Sequence, residues 1–216
     1  MAVSEVSYKS PSSSGSSSNE ASLFNTSFYP LNVHLFNSFL GLSKNFNVVH
    51  INAQSVPAHY SYLFTSLQYC NIHAILISES WLKPSLPSTS FPIPGFHLLR
   101  NDRLARVEGG VAIYLRAHIS YFILSSSPQP PPNDAVEHFS LEVSFSYSKL
   151  LLGVFYSFSL NVDYFSALGL LLDNFINNNK HTIFMGDLNT CLLRNDHRSR
   201  KPTSTIESYN FNITYL

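Results

Sequence analysis

Asn47-Val48-Val49-His50-Ile51-Asn52, followed by Ala74-Ile75-Leu76-Ile77-Ser78-Glu79, is the pair of segments on which the reading of this chain turns. Each is a short aliphatic run that ends in a polar tip, which is how a buried strand is written. Between them Pro57 suits the first turn of a helix, where its missing N–H costs nothing. Tyr60, Leu63, Phe64 and Leu67 then recur at i, i+3, i+4 and i+7, the stripe of an amphipathic helix. The unit is therefore strand, helix, strand, and both strands close on a side chain bearing oxygen, Asn52 and Glu79.

Towards the C-terminus, residues 83–95 carry Pro84, Pro87, Pro92 and Pro94 and read as loop. Gly109-Gly110 marks a turn before a strand at 111–115. Residues 125–133, with Pro128 and Pro130-Pro131-Pro132, form another break. Strand-like runs follow at 135–145 and 150–156. Asn161 is a candidate N-cap for a helix outlined by Val162, Phe165, Leu168, Leu172, Phe175 and Ile176. A last strand at 181–185 closes on Gly186-Asp187-Leu188-Asn189, and residues 194–205 are polar and basic. A strand-rich middle between two strand–helix units fits a layered α/β (α+β) sandwich better than a strict βαβ repeat. Towards the N-terminus, residues 1–22 contain Ser12-Ser13-Ser14-Gly15-Ser16-Ser17-Ser18, too little apolar surface to offset ordering entropy, so a disordered lead is expected. Residues 23–46 show no periodicity and are left as a linker; the domain is expected over 47–216.

Composition narrows the function. An apolar fraction of 44% suffices for a core, and 17 Phe and 12 Tyr suit half-buried strands. Formal net charge is zero and only 12% of residues are charged. A protein that grips phosphates tightly by itself usually carries a basic surplus, so composition argues against strong autonomous DNA binding. Cys70 and Cys191 match no metal or redox spacing and read as buried thiols. No apolar run reaches the length of a membrane span, and the first twenty residues lack a signal-peptide core; a nuclear or cytoplasmic location is the expectation. No feature points to a protein partner.

Three strand ends carry Asn52, Glu79 and the pair Asp187/Asn189. Carboxylates with neighbouring amides form the oxygen-rich set that Mg2+ takes, and such an ion neutralises charge developing on a phosphodiester oxygen. Asn and Asp also end strands for turn reasons alone, so this pattern leaves both readings open.

Five segments together carry a resemblance. They are Ile51-Asn52-Ala53-Gln54-Ser55; Ile77-Ser78-Glu79-Ser80-Trp81-Leu82; Arg100-Asn101-Asp102-Arg103 with Glu108-Gly109-Gly110-Val111-Ala112-Ile113-Tyr114; Leu150-Leu151-Leu152-Gly153-Val154-Phe155-Tyr156; and Met185-Gly186-Asp187-Leu188-Asn189. In order and spacing the chain resembles the endonuclease/exonuclease/phosphatase superfamily, in the branch carried by jockey-like and other LINE-type (non-LTR) retrotransposons. The resemblance implies a DNase I-like four-layer sandwich, two mixed β-sheets flanked by helices. It implies a Mg2+-dependent DNA endonuclease that nicks its target, with Mn2+ as a possible substitute and DNA as the partner. By position, Asn52 matches the asparagine near metal and scissile phosphate, and Glu79 the metal-binding glutamate. Tyr156 matches the tyrosine that hydrogen-bonds the phosphate. Asp187 matches the carboxylate that orients or activates water, and Asn189 the amide that helps hold the oxyanion. Asp102 with Arg103 reads as a loop ion pair, Gly109-Gly110 as a turn needing positive φ, Trp81 as a packing anchor under the Glu79 loop, and Glu137 as a strand residue. The histidines, His50 included, match no catalytic position.

The sequence departs from the family at Gln54, where many relatives have arginine, and at Ser157-Phe158-Ser159, where a proline-bearing turn is usual. After Asn189 it shows neither the Ser-x-Leu-Asp nor the final Ser-Asp-His segment, so a C-terminally incomplete, catalytically impaired copy is expected. Two alternatives stand beside the nuclease: a non-catalytic remnant or binding protein that reuses the fold, and another phosphatase of the superfamily.

Overall fold

The computed structural model describes residues 3–8 (as backbone), 46–104, 106–129, 136–144, 149–157, 173, 181–187 and 189. Two sheets face each other. The first contains β1 (Val3–Tyr8), β2 (Phe46–Asn52), β3 (Ala74–Ser78), β4 (Phe96–Asn101) and β5 (Val111–Arg116), in the order β1-β2-β3-β5-β4. The second contains β6 (Ser120–Ser126), β7 (Glu137–Ser144), β8 (Lys149–Tyr156) and β9 (Thr182–Asp187), in chain order. Each sheet holds one parallel pair, β2/β3 and β8/β9, among antiparallel neighbours, so both are mixed.

A parallel pair needs a crossover, and between β2 and β3 it is helix α1 (Val56–Leu67). Ser55 caps it by accepting the Ala58 N–H, and proline stands in the first turn as the sequence predicts. Val56, Leu63 and Leu67 pack on Val49, Ile51, Ile75, Ile77, Ala112 and Tyr114 to form one core. The opposite face of the same sheet, with Val48, Leu76, Ile113 and Leu115, meets Leu141, Val143, Leu152 and Val154 of the second sheet in another core. The first sheet is thus covered on both faces, which is why β2, β3 and β5 read as unbroken apolar runs rather than alternating ones.

Three strands correct the sequence reading. Within the expected disordered lead, Val3–Tyr8 pairs antiparallel with β2, from Val3↔Ile51 to Tyr8↔Phe46; its stabilisation comes from backbone hydrogen bonds that the serine-rich composition does not reveal. β4 was not anticipated at all. β6 continues to Ser126, into the expected break, because a register shift between Ile123 and Ser125 absorbs an irregular residue. The helix expected from Asn161 lies outside the described residues apart from Asp173, which is helical. The expectation about the segment after Asn189 also lies outside them. No helix among the described residues is long and apolar enough to cross a membrane.

Candidate active site

Parallel pairing brings the ends of β2 and β3 to one edge of the first sheet and the ends of β8 and β9 to one edge of the second. Because the sheets face each other, all four carboxyl ends meet at a shared rim. There Asn52 Nδ2 donates to Glu79 Oε1 at 3.1 Å and to Asp187 Oδ2 at 2.6 Å, joining residues 135 positions apart. The Tyr156 hydroxyl bonds the Glu79 carboxylate, and Tyr156 is the register partner of Asp187. Asp187 Oδ1 accepts the Asn189 N–H at 2.8 Å, and Asn189 Nδ2 donates to the Ser157 carbonyl at 2.7 Å. All five residues singled out in the sequence therefore occupy one place. Asn189 shows its turn role directly, since its amide is engaged by the chain.

The backbone at this rim is unusual. Gln54 (φ 44°), Ser55 (φ 93°), Glu79 (φ 51°), Trp81 (φ 52°) and Asn189 (φ 49°) all have positive φ without being glycine. Such residues cost about 1–3 kcal/mol each and persist only where surrounding bonds over-determine them. Those bonds are present: Ser55 N donates to Glu79 O (3.0 Å), Val56 N to Ser80 O (2.8 Å), Ser80 N to Gly110 O (3.0 Å) and Trp81 N to Gly109 O (2.9 Å). Gly186, just before Asp187, is required by packing: a Cβ there would lie 2.0 Å from the Phe155 carbonyl oxygen.

Three features escaped the sequence reading. Ser157, taken as a lost turn, is fully buried, and its N–H donates to the Asp187 carbonyl at 2.9 Å. Asp102 and Arg103 do not pair with each other. Asp102 pairs with Arg100, while Arg103 reaches Glu137 of the second sheet at 3.2 Å. Glu137 is more than a strand residue, since its Oε2 also accepts the Gly110 N–H at 2.7 Å. The expected positive φ of Gly109 and Gly110 is found, at 90° and 80°. Trp81 is half-buried and its indole N–H is buried with no hydrogen-bond partner among the described residues.

His50 lies between the sheets, one layer below the rim, with Nε2 3.0 Å from Ser78 Oγ. Burial drives its pKa down from 6.5 to about 4, partly offset by the negative charge of Asp187. The imidazole is neutral in the folded chain at neutral pH. Its folded pKa lies below its unfolded one, so its contribution to stability is present above about 6.5 and is lost as pH falls towards about 4. In buffer free of divalent ions, urea melts are expected to lose on the order of 3 kcal/mol across that window. A His50→Gln chain should lack this component of the acid loss; an identical pH profile would remove His50 as its source. Tyr156 is shifted upward, first by burial, then by the charges of Glu79, Asp187 and Glu137, so its phenol keeps its proton and can donate.

Among the described residues no three His, Cys, Asp or Glu side chains cluster as a metal site. The donor set is instead two carboxylates with an amide. That fits Mg2+, which commonly uses one or two carboxylates and keeps several waters. Asn52 Nδ2 lies between the two carboxylates, where positive charge is wanted; to ligate an ion Asn52 would have to present Oδ1, which here accepts the Gln54 N–H at 3.3 Å.

The chain matches the endonuclease/exonuclease/phosphatase family over residues 32–212, most of its length. No curated protein matches it. Among solved structures it is similar to the endonuclease domain of TRAS1, a telomere-specific non-LTR retrotransposon (15% identity, TM-score 0.53, 76% of this chain and 70% of that one). It is also similar to an AP endonuclease from Archaeoglobus fulgidus (12%, TM-score 0.56, 76% and 70%). A third likeness is to the 3′ phosphatase NExo from Neisseria bound to a product DNA hairpin (13%, TM-score 0.54, 75% and 70%). At these identities the likenesses concern the fold, two facing mixed sheets with few helices. With the family match over most of its length, the chain belongs to the endonuclease/exonuclease/phosphatase family.

Proposed function

We propose that this chain hydrolyses phosphodiester bonds in DNA with a bound Mg2+, as the nicking domain of a non-LTR retrotransposon. The observation that carries the reading is the Asn52 amide bonded to both Glu79 and Asp187, which gathers the oxygen-bearing groups of two sheets at one point. Glu79 and Asn52 would hold the ion, which supplies charge neutralisation at the phosphate; Mn2+ offers the same chemistry. Asp187 orients the attacking water and takes its proton. The protonated Tyr156 phenol donates towards a phosphate oxygen, while Asn189 holds the turn that aims Asp187. DNA as substrate agrees with DNA-acting structural neighbours, and the flat net charge implies that target affinity comes from outside this composition. We propose slow turnover, because no residue of the sequence matches the histidine and second aspartate that the family places around the phosphate.

A supercoiled plasmid tests the reading. The purified chain is expected to accumulate open circles in Mg2+ or Mn2+ and none in EDTA. Release of phosphate from a 3′-phosphorylated oligonucleotide without nicking would replace the nuclease by a phosphatase. Neither product, after long incubation at high protein concentration, would leave a binding or remnant protein.

A further inference from the structure

Glu137 and Arg103 are almost completely buried, at 1% and 3% exposure. A buried ion pair is weak evidence for stability, because desolvation offsets the attraction. What this pair holds is specific. Glu137 Oε2 takes the Gly110 N–H at 2.7 Å. Gly109 lets the pair close in, since a Cβ there would lie 2.7 Å from Glu137 Oε1 and 2.8 Å from Arg103 Cδ. A Cβ on Gly110 would lie 2.7 Å from Ser80 Oγ. The carbonyls of that Gly-Gly turn then accept Trp81 N–H and Ser80 N–H, fixing the strained turn that begins with Glu79. Glu137 is also the cross-strand partner of Tyr156, whose hydroxyl bonds Glu79 from the other side.

We propose that Glu137, with Arg103, is a positioning residue for Glu79: a clamp from the second sheet that sets the 79–81 turn of the first through Gly109-Gly110. The consequence for the cation rests on the metal reading above; the consequence for the turn does not. Trp81 is the chain's one tryptophan, so its fluorescence reports on the turn without any ion or substrate.

The test compares Glu137→Leu, Glu137→Gln and, as control, Asn101→Ala in the full chain, each checked for folding by circular dichroism. Asn101 makes another tie to the second sheet, Nδ2 to the Ser127 carbonyl at 3.0 Å, and does not bond the 79–81 turn. Folded Glu137→Leu is expected to show red-shifted Trp81 emission and easier acrylamide quenching. Its Mn2+ affinity, followed by the EPR signal of free Mn2+, should weaken about 10–100-fold, as for other groups that orient a metal ligand. Glu137→Gln, which keeps an acceptor for Gly110, should fall between, and it carries the test alone if Glu137→Leu does not fold. Asn101→Ala should lower the melting temperature and leave both signals unmoved. Unchanged Trp81 emission in the folded Glu137 variants, or equal shifts in Asn101→Ala, overturns the clamp. If wild type binds no Mn2+, the metal reading fails by itself, and Trp81 emission then decides the clamp.

Discussion

Asp187→Ala is expected to lower the proposed metal-dependent nicking by about 10²–10⁴-fold, the range that follows when a positioned general base is removed. The size follows from how much converges on this carboxylate. One oxygen receives Asn52 Nδ2 at 2.6 Å and the other the Asn189 N–H at 2.8 Å. Alanine removes the proton acceptor and leaves Asn52 with Glu79 as its remaining carboxylate partner. Asp187→Asn separates the two effects, because an amide oxygen can still accept from Asn189 while the charge and basicity are gone. Both variants are expected to fall to a similar rate in single-turnover assays, with wild-type circular dichroism. Wild-type nicking in either one takes Asp187 out of the chemistry.

The largest effect on stability is expected at Arg103. Arg103→Met leaves Glu137 buried opposite a thioether, and breaking one side of a buried pair costs about 3–5 kcal/mol. Burial already raises the Glu137 pKa, while Arg103, the Gly110 N–H, Lys83 and Gln129 pull it down. Without the guanidinium the folded pKa rises further above the unfolded one. Such a group favours folding while protonated and loses that advantage as pH rises through its folded pKa. The deficit of Arg103→Met should therefore be smallest in acid and grow towards neutrality. Arg103→Met with Glu137→Leu should recover much of the loss, because no charge is then buried. Urea denaturation of both variants at acid and neutral pH reads this directly. Equal deficits for the single and double variants at neutral pH would mean that packing, not charge, dominates. Recovery of stability without recovery of the Trp81 signal would show fold and clamp to be separate properties of the same pair.

What the sequence disclosed and what it withheld divide along physical lines. β2, β3, β5, β7 and β8 lie inside their sheets, and their apolar runs were readable. The strands that went unread, β1, β4 and β6, are all sheet edges. An edge is held by backbone pairing to one neighbour and constrains its side chains weakly; in β6, Tyr121, Phe122 and Ile123 are all exposed. β9, also an edge, was legible because it ends in the Gly-Asp-x-Asn signature. Strand ends pointed to Asn52, Glu79, Asp187 and Asn189 but left a turn role open; the family resemblance assigned their roles and alone named Tyr156. The links beneath them could not be read. His50 with Ser78, Ser157 with Asp187, and Arg103 with Glu137 each join segments whose juxtaposition depends on strand register or sheet docking. No local pattern encodes that information.

The two halves of the chain each own part of the rim. Asn52 and Glu79 belong to the first sheet, and Tyr156, Asp187 and Asn189 to the second or to its end. A partly assembled molecule with only the first sheet formed has Asn52 and Glu79 but lacks Tyr156, Asp187 and Asn189. An ion that binds only the completed rim would add about 1.4 kcal/mol to the closed form for each tenfold excess over its dissociation constant. On the function proposed above, the catalytic groups would come together only when the sandwich shuts.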